Sequence, residues 1–224
     1  TLRIAFDRGD AIEAEGLLVA AGRKPNTTSL NAEKAGVELG ERGEVKINER
    51  FETSREGVYA IGDCAGQPPF THVSSEDYRR LTAIWKADDE RGGNVTGDDL
   101  PRRRDDRALA YAVFTDPSVG RVGLDEQQAH AAAHDAVAHR MPLAETSRGR
   151  EWDMRCGYFE IVADRHTKRI LGATFIGHEA SELAQLFLPL VQNGLTVDAV
   201  GESIFVHPTF FEDVMMLARK FEDR

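Results

Sequence analysis

The sequence has 224 residues, enough for one large domain or two small ones. Lys and Arg number 28 against 38 Asp and Glu, a formal net charge of −10 that repels a nucleic-acid backbone, and no apolar run approaches the ~20 residues of a membrane-spanning helix. Two cysteines, Cys64 and Cys156, stand without CxxC or metal spacing, which supports neither a disulphide framework nor a zinc site; with no basic-then-apolar leader pattern, the expected location is cytoplasmic.

Leu2, Ile4 and Phe6 alternate with polar residues ahead of Asp7-Arg8-Gly9-Asp10, so the opening predicts a β-hairpin whose second arm starts at Ala11. A sequence that enters a strand pattern directly from Thr1 reads as a piece of a longer chain. Leu17-Leu18-Val19-Ala20-Ala21, ending at Gly22, has the continuous apolar character of a strand buried on both faces of a parallel sheet. Arg23-Lys24-Pro25-Asn26 breaks the structure, residues 29–36 suit a short helix, and Val45 to Ile47 a short strand. Val58-Tyr59-Ala60-Ile61 predicts a second buried strand that stops at Gly62-Asp63. Ser74-x-x-Asp77 has the form of a capping box, and Tyr78, Leu81 and Trp85 recur at helical spacing, so a helix of about four turns is expected from there toward Gly92-Gly93.

Residues 91–107 combine glycine, proline and charge with almost nothing to bury, including the basic run Arg102-Arg103-Arg104 that Asp105 and Asp106 follow; this reads as a solvated linker and a domain boundary. Beyond it the patterns predict a strand over Tyr111 to Phe114, a helix over Asp125 to Ala133, a strand over Val137 to Met141, and a hairpin pairing Gly157 to Ala163 with Ile170 to Ile176. Leu183, Leu186, Phe187, Leu190 and Val191 mark a helix that Gly194 closes, and Phe210, Val214, Leu217 and Phe221 mark a last one. Strands and helices mixed without strict βαβ alternation describe an α+β module after the boundary.

Two constellations carry candidate chemistry. A strand delivering Gly62-Asp63 to its carboxyl end sets a short acceptor carboxylate in the crevice where open α/β sheets bind ligands, suited to the hydroxyls of a ribose or ribityl chain; the plain alternative is a strand end with an Asx turn. Cys64 beside it is expected to be a small buried filler. His207-Pro208-Thr209-Phe210-Phe211-Glu212 holds a histidine at a proline corner ahead of a helix, with Glu212 one turn on to orient the ring, an arrangement suited to acid/base work near neutral pH. Thr209-x-x-Glu212 is equally a capping box that would occupy the glutamate. His130, His134 and His139 include an HxxxH spacing but no third ligand, so a solvated helix face is the expectation and no metal site is assigned. No GxGxxG, P-loop or GxSxG motif occurs.

These residues resemble the pyridine nucleotide-disulphide oxidoreductases, the flavoproteins that include glutathione reductase, dihydrolipoamide dehydrogenase and mercuric reductase. Leu17 to Asn26 resembles the end of their NAD(P) domain; Thr53-x-x-x-x-Gly57-Val58-Tyr59-Ala60-Ile61-Gly62-Asp63 resembles their second FAD motif; Val119-Gly120-Arg121-Val122-Gly123-Leu124 with Glu126-Gln127-Gln128-Ala129 resembles the opening of their interface domain; and His207-Pro208-Thr209-x-x-Glu212 resembles their terminal active-site motif. The four matches fall in family order. The resemblance implies an α/β to α+β fold: residues 1–26 as the C-terminal end of a Rossmann-like NAD(P)-binding domain, 27–100 as the second segment of a FAD-binding domain with a linker, and 101–224 as an interface, or dimerisation, domain.

The resemblance further implies FAD and NAD(P)H as cofactors, with Asp63 on the ribityl chain, Gly62 beside it, Thr71 near the flavin ring and Gly22 toward the nicotinamide nucleotide. His207 matches the acid/base that takes a proton from a thiol, and Glu212 its orienting partner, in a homodimer serving a small-molecule or disulphide acceptor. The family's FAD glycine loop, CxxxxC and NAD(P) glycine loop are absent from this sequence, so the chain alone is expected to be inactive, and a non-catalytic dimerisation module is the alternative reading.

Overall fold

The computed structural model describes residues 1–101 and 107–221. The chain forms two compact units, Thr1–Arg104 and Asp105–Arg224. Arg102-Arg103-Arg104 with Asp105 and Asp106 lie outside the described residues. Among the described residues no helix is long and apolar enough to cross a membrane.

The first unit opens with the expected hairpin: β1 (Leu2–Ile4) pairs antiparallel with β2 (Ile12–Ala14), Leu2 opposite Ala14. Leu17 to Ala21 is not the buried strand that its apolar run predicts. A parallel strand is stabilised only by neighbours on both sides, and among the described residues none pairs with it, so Leu18 is 90% exposed. Val58 to Ile61 also departs from expectation: Tyr59 makes a single bridge to Glu52, and Val58 is exposed. Val45 and Ile47 likewise make isolated bridges, to Leu39 and Thr53, and residues 29–36 become two 3-10 turns separated by Asn31 in the left-handed region.

The long helix α1 (Thr71–Arg91) begins three residues ahead of the expected capping box. That box does not form, because the Asp77 carboxylate is buried and turned to the backbone N–H of Gly62. The buried face of α1 is Val73, Asp77, Arg80, Leu81 and Ile84, so Tyr78, expected inward, stays exposed. Leu81, Ile84, Phe51 and Leu100 share a core, and Val95 is buried too, so the boundary segment contributes packing that its composition hides.

Arg50 and Asp88 tie this unit together. The guanidinium reaches the Asp88 carboxylate at 2.5 Å and the Val95 carbonyl, while Val95 N donates to Asp88 at 2.7 Å. Burial pushes the Asp88 carboxyl up, but Arg50 and the Val95 amide outweigh it and hold the group below the usual carboxylate range. A depressed carboxylate contributes stability above its unfolded pKa, about 3.9, and loses it as pH falls through the folded value. Asp88→Ala leaves the buried Arg50 charge without its carboxylate and is expected to destabilise this unit by about 3 kcal/mol at neutral pH. Urea melts at pH 7 and pH 3 check this: the gap between variant and wild type should shrink at pH 3, and a constant gap would assign the loss to packing alone.

The second unit is an antiparallel five-stranded sheet in the order β3-β4-β7-β6-β5. In chain order it comprises β3 (Ala110–Val113), β4 (Val119–Gly123), α2 (Glu126–Ala131), β5 (Ala136–Pro142), α3 (Ser147–Glu151), β6 (Tyr158–Asp164), β7 (Ile170–Ile176), α4 (Ala180–Gln192), α5 (Val197–Gly201) and α6 (Phe210–Arg219). Asp125 caps α2 through a complete capping box with Gln128; that amide, together with Arg121, holds the Asp125 carboxyl below its usual range. Asp164 accepts from the Thr167 amide and hydroxyl and so shapes the β6–β7 turn. The core lies between one sheet face and α4, α5 and α6: Phe159, Ile161, Phe175, Phe187, Val197, Val214 and Leu217 are buried in one cluster.

Candidate functional site

The corner before α6 is built by its own sequence. Thr209 is extended and non-helical, its hydroxyl accepts the Glu212 N–H at 3.2 Å, and it donates to the Val206 carbonyl at 2.8 Å. Phe210 packs edge-on against Phe159, and Phe211 against Phe205 and Phe187, so the first turn of the helix is anchored in the aromatic core. The Asp213 carboxylate accepts the backbone N–H groups of Ser147 at 2.8 Å and Arg148 at 3.1 Å, fixing the same turn to the start of α3. The peptide between His207 and Pro208 is cis.

On this frame His207 Nδ1 lies 2.8 Å from Glu212 Oε2, with the histidine side chain 66% exposed and the glutamate 24%. The two readings of Thr209-x-x-Glu212 thus divide: Thr209 caps the helix, while the Glu212 side chain goes to the histidine. A carboxylate only accepts, so Nδ1 carries the hydrogen and donates it. With Nδ1 committed to Glu212, Nε2 is the ring nitrogen that a proton-transfer role would use.

The second cluster sits in the first unit. Gly62 to Ala65 form a 3-10 turn, not a strand end; Gly62 has φ 68° and its N–H donates to Asp77 at 2.9 Å. The Asp63 carboxylate is 54% exposed and lies 3.6 Å from the Arg23 guanidinium, which brings the Gly22-Arg23 segment to this turn. Gly22 has φ 111°, with open space where a side chain would project. Thr71 is exposed as the first residue of α1, and one turn on, Ser74 lies so close to Gly62 that a Cβ there would meet its Oγ at 2.9 Å. Cys64 is exposed, contrary to the filler expectation, because the turn aims it outward with its Sγ 3.3 Å from the Ile61 carbonyl.

An exposed carboxylate on a turn is an acceptor that fits a polyhydroxyl chain, which is the donor set that a flavin's ribityl group presents, while the missing Cβ of Gly62 makes room for Ser74. Arg23 and Asp213 were not singled out for a task in the sequence, and Asp77 only as half of a capping box; a buried acid on a helix face, as at Asp77 and Asp213, is the signal that could have marked them.

The histidines of the HxxxH spacing separate. Helix α2 ends at Ala131 and Ala133 has φ 64°, so His130 and His134 do not share a helix face. His134 lies 3.8 Å from Asp164, and His139 packs edge-on against Phe221.

Comparison with known proteins places both units. The pattern described as "Pyridine nucleotide-disulphide oxidoreductase" matches residues 1–77, and that described as its "dimerisation domain" matches residues 109–218. The chain belongs to the pyridine nucleotide-disulphide oxidoreductase family. The resemblance drawn from the four motifs and the α/β to α+β fold both hold. Dihydrolipoyl dehydrogenase 3 of Haloarcula marismortui is 30% identical over 98% of this chain and 44% of its own length. Mercuric reductase of Staphylococcus aureus is 33% identical over 94% of the chain and 37% of its own. The solved Cu(II) complex of the HOCl-induced flavoprotein disulphide reductase RclA of Escherichia coli superposes with a TM-score of 0.80 at 30% identity, covering 96% of this chain and 46% of that one. The chain thus spans less than half the length of the relatives it matches.

Proposed function

We propose that this pyridine nucleotide-disulphide oxidoreductase chain is the acid/base-bearing and dimer-forming part of a FAD-dependent enzyme that passes electrons from NAD(P)H through flavin and a redox disulphide to a small-molecule or disulphide acceptor. The observation that carries the reading is the 2.8 Å His207–Glu212 pair at a corner fixed by Thr209 and the aromatic core. In it, His207 takes the proton of a thiol at Nε2 and returns it to the departing thiolate, and Glu212 holds the ring by accepting from Nδ1. Asp63 accepts hydrogen bonds from the ribityl hydroxyls, Gly62 beside it seats the turn against Ser74, Thr71 stands toward the ring, and Gly22 toward the nicotinamide nucleotide. FAD, when bound, supplies the hydride-accepting chemistry. The match to a dimerisation domain supports a homodimer in which the pair serves the partner copy. The two free, exposed cysteines suit the reducing cytoplasm.

The absence of CxxxxC and of both glycine loops from the sequence favours a second description of the 224-residue chain by itself, a non-catalytic dimerisation module. Sedimentation of the purified chain without flavin is expected to give a dimer, and NAD(P)H-dependent disulphide reduction by it is expected at background. A monomer at micromolar concentration would remove the dimer, and turnover by the chain alone would remove the division of labour.

A further inference from the structure

Asp77 is a titratable group that the proposed chemistry leaves unused, yet it is 0% exposed on the buried face of α1, which it shares with Val73, Arg80, Leu81 and Ile84. A buried carboxylate is costly unless hydrogen-bonded, and this one accepts the Gly62 N–H at 2.9 Å. Gly62 opens the turn that carries Asp63 at a φ of 68°, and its amide points to Asp77 on α1. Ser74, three residues before Asp77 on the same helix face, closes against Gly62 so tightly that a Cβ there would lie 3.0 Å from the Ser74 Cβ. Within the turn Gly66 N donates to the Asp63 carbonyl and Gln67 N to the Gly62 carbonyl, and from outside it Val45 N donates to the Cys64 carbonyl at 2.8 Å. The turn is thus one hydrogen-bonded piece, held at Cys64 by Val45 and at its first amide by Asp77. The helix that supplies Asp77 also begins with Thr71.

We infer that Asp77 is a positioning residue: by holding the Gly62 amide it sets the Asp63 carboxylate in fixed register with Thr71, so that both meet one flavin. This rests on the reading that Asp63 holds FAD. Asp77 itself touches no cofactor; it acts through Asp63.

The test is a double-mutant cycle in the FAD-loaded enzyme, read as the dissociation constant of FAD from recovery of flavin fluorescence. Asp63→Ala and Asp77→Ala are each expected to weaken FAD by about tenfold or more, the scale of one charge-assisted hydrogen bond. The double variant is expected to be no weaker than Asp63→Ala alone, because one residue works through the other. Asp77→Asn keeps an acceptor oxygen for Gly62 and should hold FAD within about threefold of wild type. Unchanged affinity in Asp63→Ala overturns the flavin reading itself. A loss in Asp63→Ala with none in Asp77→Ala, or full additivity in the double variant, overturns the positioning role alone. Should Asp77→Ala not fold, hydrogen exchange of the Gly62 amide in the unsubstituted 224-residue chain decides: protection is expected, and exchange at the rate of an open loop overturns the inference.

Discussion

In the flavin-loaded enzyme, His207→Ala slows the thiol half-reaction by about 10²- to 10⁴-fold, the usual contribution of a positioned acid/base, and leaves flavin reduction by NAD(P)H at its original rate. Both halves of that expectation follow from geometry. Nδ1 is committed to Glu212 at 2.8 Å, so Nε2 is the only ring nitrogen left for the thiol proton. A thiol is a poor nucleophile and a thiolate a good one, so without the imidazole the attacking sulfur has to ionise unaided. The residual rate of the variant should therefore climb as pH approaches about 8.5, the ordinary thiol value. Glu212→Gln keeps an acceptor for Nδ1 but removes the charge that favours the imidazolium, so its loss should be smaller and of the same kind. Stopped-flow spectroscopy separates the two half-reactions. Equal slowing of both, or a residual rate flat with pH, would remove His207 from proton transfer.

The parts of this architecture that were legible in the sequence are those in which local pattern and final environment agree. β5, β6 and β7 are rich in apolar and β-branched residues and α4 and α6 carry apolar residues at helical spacing, so each appeared within about three residues of its expected span. The His207 motif was legible because proline, threonine and glutamate at fixed offsets each have a local mechanical role. Where burial depends on distant neighbours, the pattern misled. Leu17 to Ala21 and Val58 to Ile61 have strand composition, but a strand is a pairing, and no run of side chains supplies its partners. Ser74-x-x-Asp77 misled for another reason: two residues that satisfy a local motif were recruited by Gly62, a contact across 15 positions that no spacing rule encodes.

β4 shows the opposite failure. Val119-Gly120-Arg121-Val122-Gly123 carries too much glycine to look like a strand, yet it pairs with β3 on one side and β7 on the other. Glycine is present because the backbone of another element comes close. A Cβ on Gly120 would lie 1.9 Å from the Ala180 carbonyl oxygen, and one on Gly172, opposite Gly123 in β7, 2.1 Å from the Leu124 carbonyl. The family resemblance marked this segment before any strand pattern did, and close packing is the physical content of that mark.

Gly120→Ala is accordingly expected to be among the most damaging single-methyl changes in the second unit. The obstacle is main chain at the start of α4, which cannot swing aside as a flexible side chain would, so either β4 or α4 has to shift. Ala180 and Leu183 are buried on that helix, and Phe187 packs edge-on against Phe175 of β7, so a shift of α4 opens the core that Phe159 and Phe210 also share. Overpacking of this kind costs about 3 kcal/mol, a large share of a small domain's total stability. Gly93→Ala is the matched control: nothing lies within 4 Å of a Cβ there, and its effect should stay within about 0.5 kcal/mol. Chemical denaturation followed by tryptophan fluorescence and far-UV dichroism compares the two. A loss below about 1 kcal/mol in Gly120→Ala would mean that α4 yields to the methyl group; because the Phe205–Phe211 contact runs from the His207 corner to the same core, a loss of the expected size should also broaden the nuclear magnetic resonance signals of His207.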